Sequence, residues 1–393
     1  MNRTTCKAAK RRCSGAVIVT AVSILFYVCA CSEPAERNDR LPMSVSSTLS
    51  DANTQGFRKA FHPRTLRFPR DHGIHPDYKN EWWYFTGNVQ SNAGREFGFQ
   101  FTLFRSALTP ETKESDSAWS SPQIFLAHVA LSDIESGELL HSERFSRGAL
   151  GLAGVQHAPF RIWLNDWQVS SLAPICSKCF DNALSVKTDK FSLHLRLSNA
   201  KKRVLQGNEG HSAKSATPGN ASYYYSYTRL KAQGEISLAD KHIKVSGESW
   251  FDHEWSTSAL ETDQAGWDWF SLQLSNQSEM MLYRVRHKHD QTKNHLRGSL
   301  IAADGKVRQL GQGDFQIRAT STWTSPISGV RYPSSWELRV PSVRARLTVR
   351  PKMPDQEMRL SFRYWEGAVN VSGGMAGMPV SGNGYAELAG YGQ

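Results

Sequence analysis

GESWFDHEWSTSALETDQAGWDWFSLQLSNQSEMMLYRVR, residues 247–286, is the stretch from which the rest of the chain is read. Trp250, Asp252, His253, Glu254 and Trp255 fall within six positions, and Trp267, Asp268 and Trp269 follow after a short polar link. An ordinary surface loop is built from Gly, Ser, Asn and Lys rather than from indoles and acids. On an extended chain Ser249, Phe251, His253 and Trp255 share one face, and Trp250, Asp252 and Glu254 share the other. Indoles bury large area and carry one N–H donor. The cluster therefore either fills a barrel core or lines a site for a ligand or a reaction.

The period-two pattern extends along the chain. EFGFQFTLF (96–104) sets Phe97, Phe99 and Phe101 against polar or small neighbours, and FSLHLRLS (191–198), KHIKVSG (241–247) and VRARLTVR (343–350) alternate in the same way. Turn signals separate these runs at Ser91-Asn92-Ala93-Gly94, Glu135-Ser136-Gly137 and Asp304-Gly305. Many strands of similar length with tight turns predict an all-β fold, a sandwich or barrel.

The pattern also recurs within the chain. Trp82-Trp83-Tyr84-Phe85 is echoed by Trp267-Asp268-Trp269-Phe270, and VSGESWFDHEW (245–255) by VSGNGYAELAG (380–390). RLKAQGEIS (229–237) likewise stands beside RYWEGAVNV (363–371). Two tandem units follow, 57–258 and 259–393, each opening on a Trp-rich strand and closing on a V-S-G strand. The first is longer because it carries an insertion, which includes the loop 207–220.

Residues 1–31 join a basic segment without acids to the apolar run AVIVTAVSILFY and end on VCAC, the form of a bacterial lipoprotein leader. Cys31 is then the expected lipidation site. The chain is expected to be exported and anchored to the membrane facing the periplasm, with Ser32 favouring the outer membrane. Residues 32–56 are polar and aperiodic and read as a flexible tether. With the leader's five basic residues set aside, 42 Lys+Arg face 36 Asp+Glu, a formal charge of +6. No basic block tracks a helix or an aromatic platform, so a nucleic-acid partner is not expected. Cys176 and Cys179 are the remaining cysteines and, in an exported chain, are expected to close a local disulfide. The Gly-x-Ser-x-Gly elbow, phosphate-cradling glycine loops and clustered metal ligands are missing from the sequence, so neither cofactor nor metal is expected.

Two groups suggest acid/base chemistry. Glu81 shares a strand face with Trp83 and Phe85, while Trp82 and Tyr84 share the other. If the first face is interior, burial raises the Glu81 pKa and suits it to proton transfer; if not, it is a solvated charge. His253 beside Asp252 is either a proton shuttle or a satisfied core histidine.

HPDYKNEWWYFTGNV (75–89), FGFQFTLFR, SGESWFDHEWS, GWDWFSLQL and YWEGAVNVSG…GYAELAGY together resemble the AttH-like, carotenoid 1,2-hydratase-related secreted proteins of bacteria, over residues 60–393. The resemblance implies two tandem lipocalin-like antiparallel β-barrels and a lipophilic small-molecule partner. It also implies association with ABC-transporter permeases of the lipoprotein-release type. In the hydratases of that family the His and second Trp of D-H-x-W are implicated in activity, which places those roles on His253 and Trp255. Their proposed proton donor is an Asp beside a Tyr on a downstream strand. Here Met281–Arg286 keeps Tyr283 without the carboxylate, leaving Asp268 as the substitute. The expected ligand walls are Trp82, Trp83, Tyr84, Trp250, Trp255, Trp267 and Trp269. The candidate acid/base groups are Glu81, Asp252, His253, Asp268 and Tyr283. The reading favours a lipophilic-ligand binder, with a hydratase- or hydrolase-type enzyme and an accessory protein of an ABC permease as alternatives.

Overall fold

The computed structural model describes residues 43–44, 54–110, 117–172, 179–257 and 260–392. The leader, Cys31, most of the tether and Cys176 lie outside the described residues. Cys179 is described and is disulfide-bonded.

Two antiparallel sheets make up the molecule, and Pro42–Gln393 form one compact unit. In the first sheet the strand order runs Glu138–Arg147, Gln123–Asp133, Glu96–Ala107, Asn80–Ser91, Lys241–Ser256, Ala221–Leu238, Phe191–Asn199 and Asp181–Lys187. It ends on the short strands Trp167–Ser171, Phe160–Leu164 and Ala153–His157. In the second it runs Val307–Leu310, His295–Ile301, Glu279–His287, Gln264–Leu274, Met378–Ala389, Phe362–Met375, Ala345–Pro351, Arg331–Val340 and Gln316–Thr324. Both orders follow one plan: the opening strand of the unit pairs with its last, so the Trp-rich strand and the V-S-G strand are neighbours in each. Gly94, Gly137 and Gly305 take positive φ at the three marked turns, a conformation an L side chain resists.

Each sheet curls around its own apolar core, the lipocalin-like double barrel. Phe85, Phe97, Phe99, Phe101, Phe251 and Trp255 fill the first, and Phe270, Leu272, Trp336, Leu347 and Trp365 fill the second. An antiparallel sheet commonly leaves one face to water. Here the central strands are buried on both faces, because the barrels pack against each other through their outer faces. Tyr84, Trp250, Trp269, Met281, Tyr283 and Tyr385 form that interface. Tyr84 meets Trp269 edge-on at 5.4 Å between ring centroids. A Cβ on Gly98 would lie 2.7 Å from that of Ala368, so the close approach of the two sheets requires glycine. Gln273 Nε2 donates to Thr228 O at 2.9 Å and Ser249 O at 3.0 Å, tying the barrels together. Arg229 and Lys201 of the first barrel hold the buried Glu279 of the second at 2.6 and 2.9 Å.

Candidate functional site

A cavity of about 380 Å³ opens where the two barrels meet. Trp82, Tyr84, Trp267, Trp269 and Tyr224 line it, and so do the carboxyls of Asp252, Glu254, Glu366 and Glu387. Strand alternation explains the set. Phe251, His253 and Trp255 turn into the first barrel, so Asp252 and Glu254 turn out toward the second. In the second sheet Trp365, Ala386 and Leu388 turn inward, which sends Glu366 and Glu387 to the cavity. Glu366 and Glu387 are directly opposed across their strand pair.

The electrostatics of these acids follow from that confinement. Burial pushes the Asp252 carboxyl up to about 7, although Ser226, Trp250 and Tyr224 donate to it and oppose the rise. Tyr224 Oη lies 2.9 Å and Trp250 Nε1 2.7 Å from its oxygens. Burial raises Glu387 to about 8, against a hydrogen bond from Trp267 and with the charges of Glu254 and Asp252 adding to the rise. Glu366 is raised well above the carboxylate range by burial and then by the Glu387 charge, while hydrogen bonds from Tyr84 and Tyr364 lower it. Two acids this close in a desolvated site share protons rather than both ionising. Across the cavity Lys214, from the 207–220 insertion, ion-pairs with Glu254.

A second buried polar group sits inside the first barrel. Glu81 accepts from His75 Nδ1 at 2.6 Å and His253 Nε2 at 2.8 Å, and Arg105 Nε holds its other oxygen at 3.1 Å. His75 Nε2 reaches Asp71 at 3.0 Å, and His253 Nδ1 lies 3.1 Å from Tyr225 Oη. The Trp255 ring stacks on His75 at 3.8 Å, and Trp83 stacks on His253 at 4.6 Å. One donor atom from each of His75, Glu81 and His253 lies within 4.8 Å of the others, a grouping able to hold a metal ion. The contacts to Glu81 have hydrogen-bond lengths, and a guanidinium holds its second oxygen, so the trio is satisfied by its protein partners.

This geometry corrects the roles read from sequence. Glu81 is interior, yet its pKa is lowered rather than raised: burial acts upward, but His75, the hydrogen bonds from His253 and His75, and Arg105 outweigh it. His253 is held neutral, lowered to about 4 by burial with Glu81 only partly opposing, so it is poorly matched to a proton shuttle near pH 7. Its imidazole and the indoles of Trp83 and Trp255 belong to the barrel core. Asp268 faces the interior of the second barrel, where Arg284 Nε and Arg286 Nε lie 3.1 Å from its oxygens and Tyr391 Oη donates at 2.8 Å. It does not reach the cavity and does not replace the carboxylate that the resemblance requires. Trp250 packs behind the wall as a donor to Asp252. Asp252, Glu81, Trp82, Tyr84, Trp267, Trp269 and Tyr283 do line the cavity. Glu366 and Glu387 escaped the reading because YWEGAVNV and GYAELAGY served there only as repeat markers. The period-two pattern around Ala386 and Leu388 was the signal that set their acids apart from the core.

Two antiparallel barrels packed across a shared aromatic and acidic cavity define a double-lipocalin class of cavity proteins. The chain belongs to the AttH-like family, whose model matches residues 59–391. It is similar to an AttH protein of known crystal structure from Nitrosomonas europaea, with 32% identity and a TM-score of 0.75 over 85% of this chain and 100% of that one. It shares its fold with kievitone hydratase from Nectria haematococca, at 13% identity and a TM-score of 0.62 over 86% of this chain and 98% of that one. No curated protein matches the chain.

Proposed function

We propose that the chain binds a lipophilic molecule in the cavity between its barrels and acts on it as an acid/base enzyme of the hydratase type. The observation that carries this reading is the convergence of Asp252, Glu366 and Glu387, all with raised pKa, on a cavity walled by indoles. Protonating a carbon–carbon double bond needs an acid that still holds its proton at working pH and is screened from water. Glu366 or Glu387 supplies that proton to one alkene carbon, leaving a cation on the other. The ring faces of Trp82, Trp267 and Trp269 stabilise such a cation. Water then adds to it and gives up a proton to a carboxylate of the site, so the acid is restored and the product has gained one water. About 380 Å³ lies within the range of small-molecule pockets. That a protein of the same fold carries the name hydratase accords with this class.

Simple carriage of the ligand is the second reading. It is favoured by the fact that Glu366 receives a hydrogen bond from Tyr84 and Asp252 one from Tyr224, so both acids are engaged by protein donors. Export, lipid anchoring through Cys31 and docking to an ABC permease belong to this proposal. They are checked by labelling Cys31 with a radioactive fatty acid and by co-purification of the permease.

The deciding experiment incubates the full mature chain with an acyclic isoprenoid alkene in ¹⁸O-labelled water and follows product mass. Gain of one labelled water, lost in Glu366→Gln and Glu387→Gln, supports the enzyme. Bound isoprenoid that is never altered supports carriage. Neither binding nor turnover of isoprenoid or acyl lipid overturns both readings.

A further inference from the structure

The geometry points to a proton relay running from the surface carboxylate of Glu143 through His128 and Tyr364 to Glu366, which recharges the cavity acid; it rests on the acid role proposed for Glu366. Glu143 and His128 are directly opposed on the strands Glu138–Arg147 and Gln123–Asp133. The Glu143 side chain keeps 23% of its surface exposed, while that of His128 keeps 1%. His128 Nδ1 lies 2.7 Å from Tyr364 Oη. Tyr364 stands beside the Glu366 carboxyl and lowers its proton affinity, and the same carboxyl receives the Tyr84 hydroxyl. Tyr364 and Glu366 are two residues apart on one strand, so they share the cavity face. The path crosses from the first barrel to the second, and its outer end is fixed: Ser361 of the second barrel donates its N–H to Glu143 at 3.0 Å and its hydroxyl at 2.7 Å.

One unsatisfied atom gives the relay its direction. His128 Nε2 is buried and has no hydrogen-bond partner among the described residues. The Glu143 Oε2 atom stands 3.6 Å from it, beyond hydrogen-bond distance. With its proton on Nδ1, donating to Tyr364, the imidazole turns the lone pair of Nε2 toward Glu143. Protonation of Glu143 by solvent supplies the missing hydrogen and closes the gap. The proton then passes to Nε2, the Nδ1 proton passes to the Tyr364 oxygen, and the Tyr364 hydroxyl proton passes to the Glu366 carboxylate. Glu143 is left ionised, His128 and Tyr364 neutral and Glu366 protonated, so one proton has moved inward and charge balances. The acid is walled by Tyr84, Tyr364 and indoles, and every link of this path is a side chain held by packing. Phe104 meets the His128 ring edge-on at 5.4 Å, and Tyr364 stacks on it at 5.7 Å, which fixes the ring plane.

The test follows the infrared carbonyl band of the protonated acid in the full chain, assigned by its loss in Glu366→Gln, after a rapid pH drop. With the relay, Glu143→Gln and His128→Gln slow the rise of the band by about a hundredfold, the range of a positioned proton donor. Added imidazole restores part of the rate in His128→Gln. Glu143 lies at the surface, so Glu143→Gln tests the path even if the buried His128→Gln does not fold. An unchanged rate in Glu143→Gln, with the band present, overturns the relay and leaves the acid role of Glu366 standing. A band absent at neutral pH in the unmodified chain overturns the acid role and the relay with it.

Discussion

A carboxyl that keeps its proton near neutral pH makes the folded state depend on pH, and Glu387 shows how. Its pKa rises from the ordinary 4.5 to about 8 in the fold, chiefly through burial. Between those values the folded chain holds a proton that the unfolded chain has released. Its stabilising contribution is complete below the unfolded value and is lost as pH rises through the folded one. Glu387→Gln removes the titration and nearly keeps the shape. The variant is therefore expected to gain stability relative to the parent as pH rises from about 5 to 9, by on the order of 1–3 kcal/mol. Urea denaturation at stepped pH checks it, and parallel curves for the two chains would contradict a raised Glu387. The identity of this acid stood in GYAELAGY, and alternation told its face from that of Leu388. That the outer face is dry was not legible, because it depends on Asp252 and Glu254 and their strand, over a hundred residues away in the other barrel.

The strand Lys241–Ser256 shows the same division over a whole element. Its inner row, Phe251, His253 and Trp255, builds the first barrel, and its outer row, Trp250, Asp252 and Glu254, builds the cavity side. Burial on both faces gives neighbouring residues unrelated tasks. His253→Ala removes a donor to the buried Glu81 and an imidazole stacked on Trp83. It is expected to destabilise the fold by about 2–4 kcal/mol, with the remaining activity tracking the folded fraction in denaturation and turnover assays. Asp252→Asn keeps an oxygen for the Trp250 donor and offers an amide N–H to the Tyr224 hydroxyl, so it should fold fully, while kcat on an isoprenoid alkene falls about a hundredfold. Equal kinetic loss per folded molecule in both variants would return His253 to the reaction. The sequence placed the two residues on opposite faces of the strand, and the structure puts His253 in the barrel core and Asp252 on the cavity.

Across the whole molecule the barrels depend on each other. Tyr84, Trp250, Trp269, Met281 and Tyr385 are buried only because the other sheet covers them. Separated halves, residues 54–257 and 260–392, would expose that apolar face and leave Arg229 and Lys201 without Glu279. Each half expressed alone is expected to aggregate, and co-expression to give a soluble complex on a sizing column. Two independently soluble monomers would show that the interface contributes little. The cavity, being made by both sheets, should lose isoprenoid binding whenever the halves are parted.

Alternation, turn chemistry and the internal repeat are local patterns, and they determined the all-β class and which residues of a strand share a face, leaving open which face is interior. Of the seven aromatic residues expected as walls, Trp82, Tyr84, Trp267 and Trp269 line the cavity, while Trp83, Trp250 and Trp255 pack elsewhere. The tertiary structure decided which outer faces meet, and with it every pKa that matters. Glu81 fell because His75, His253 and Arg105 surround it, and Glu366 and Glu387 rose because a second barrel removed their water. A carboxyl's proton affinity is set by the charges and solvent within a few ångströms, and in this chain those neighbours come from segments far apart in sequence.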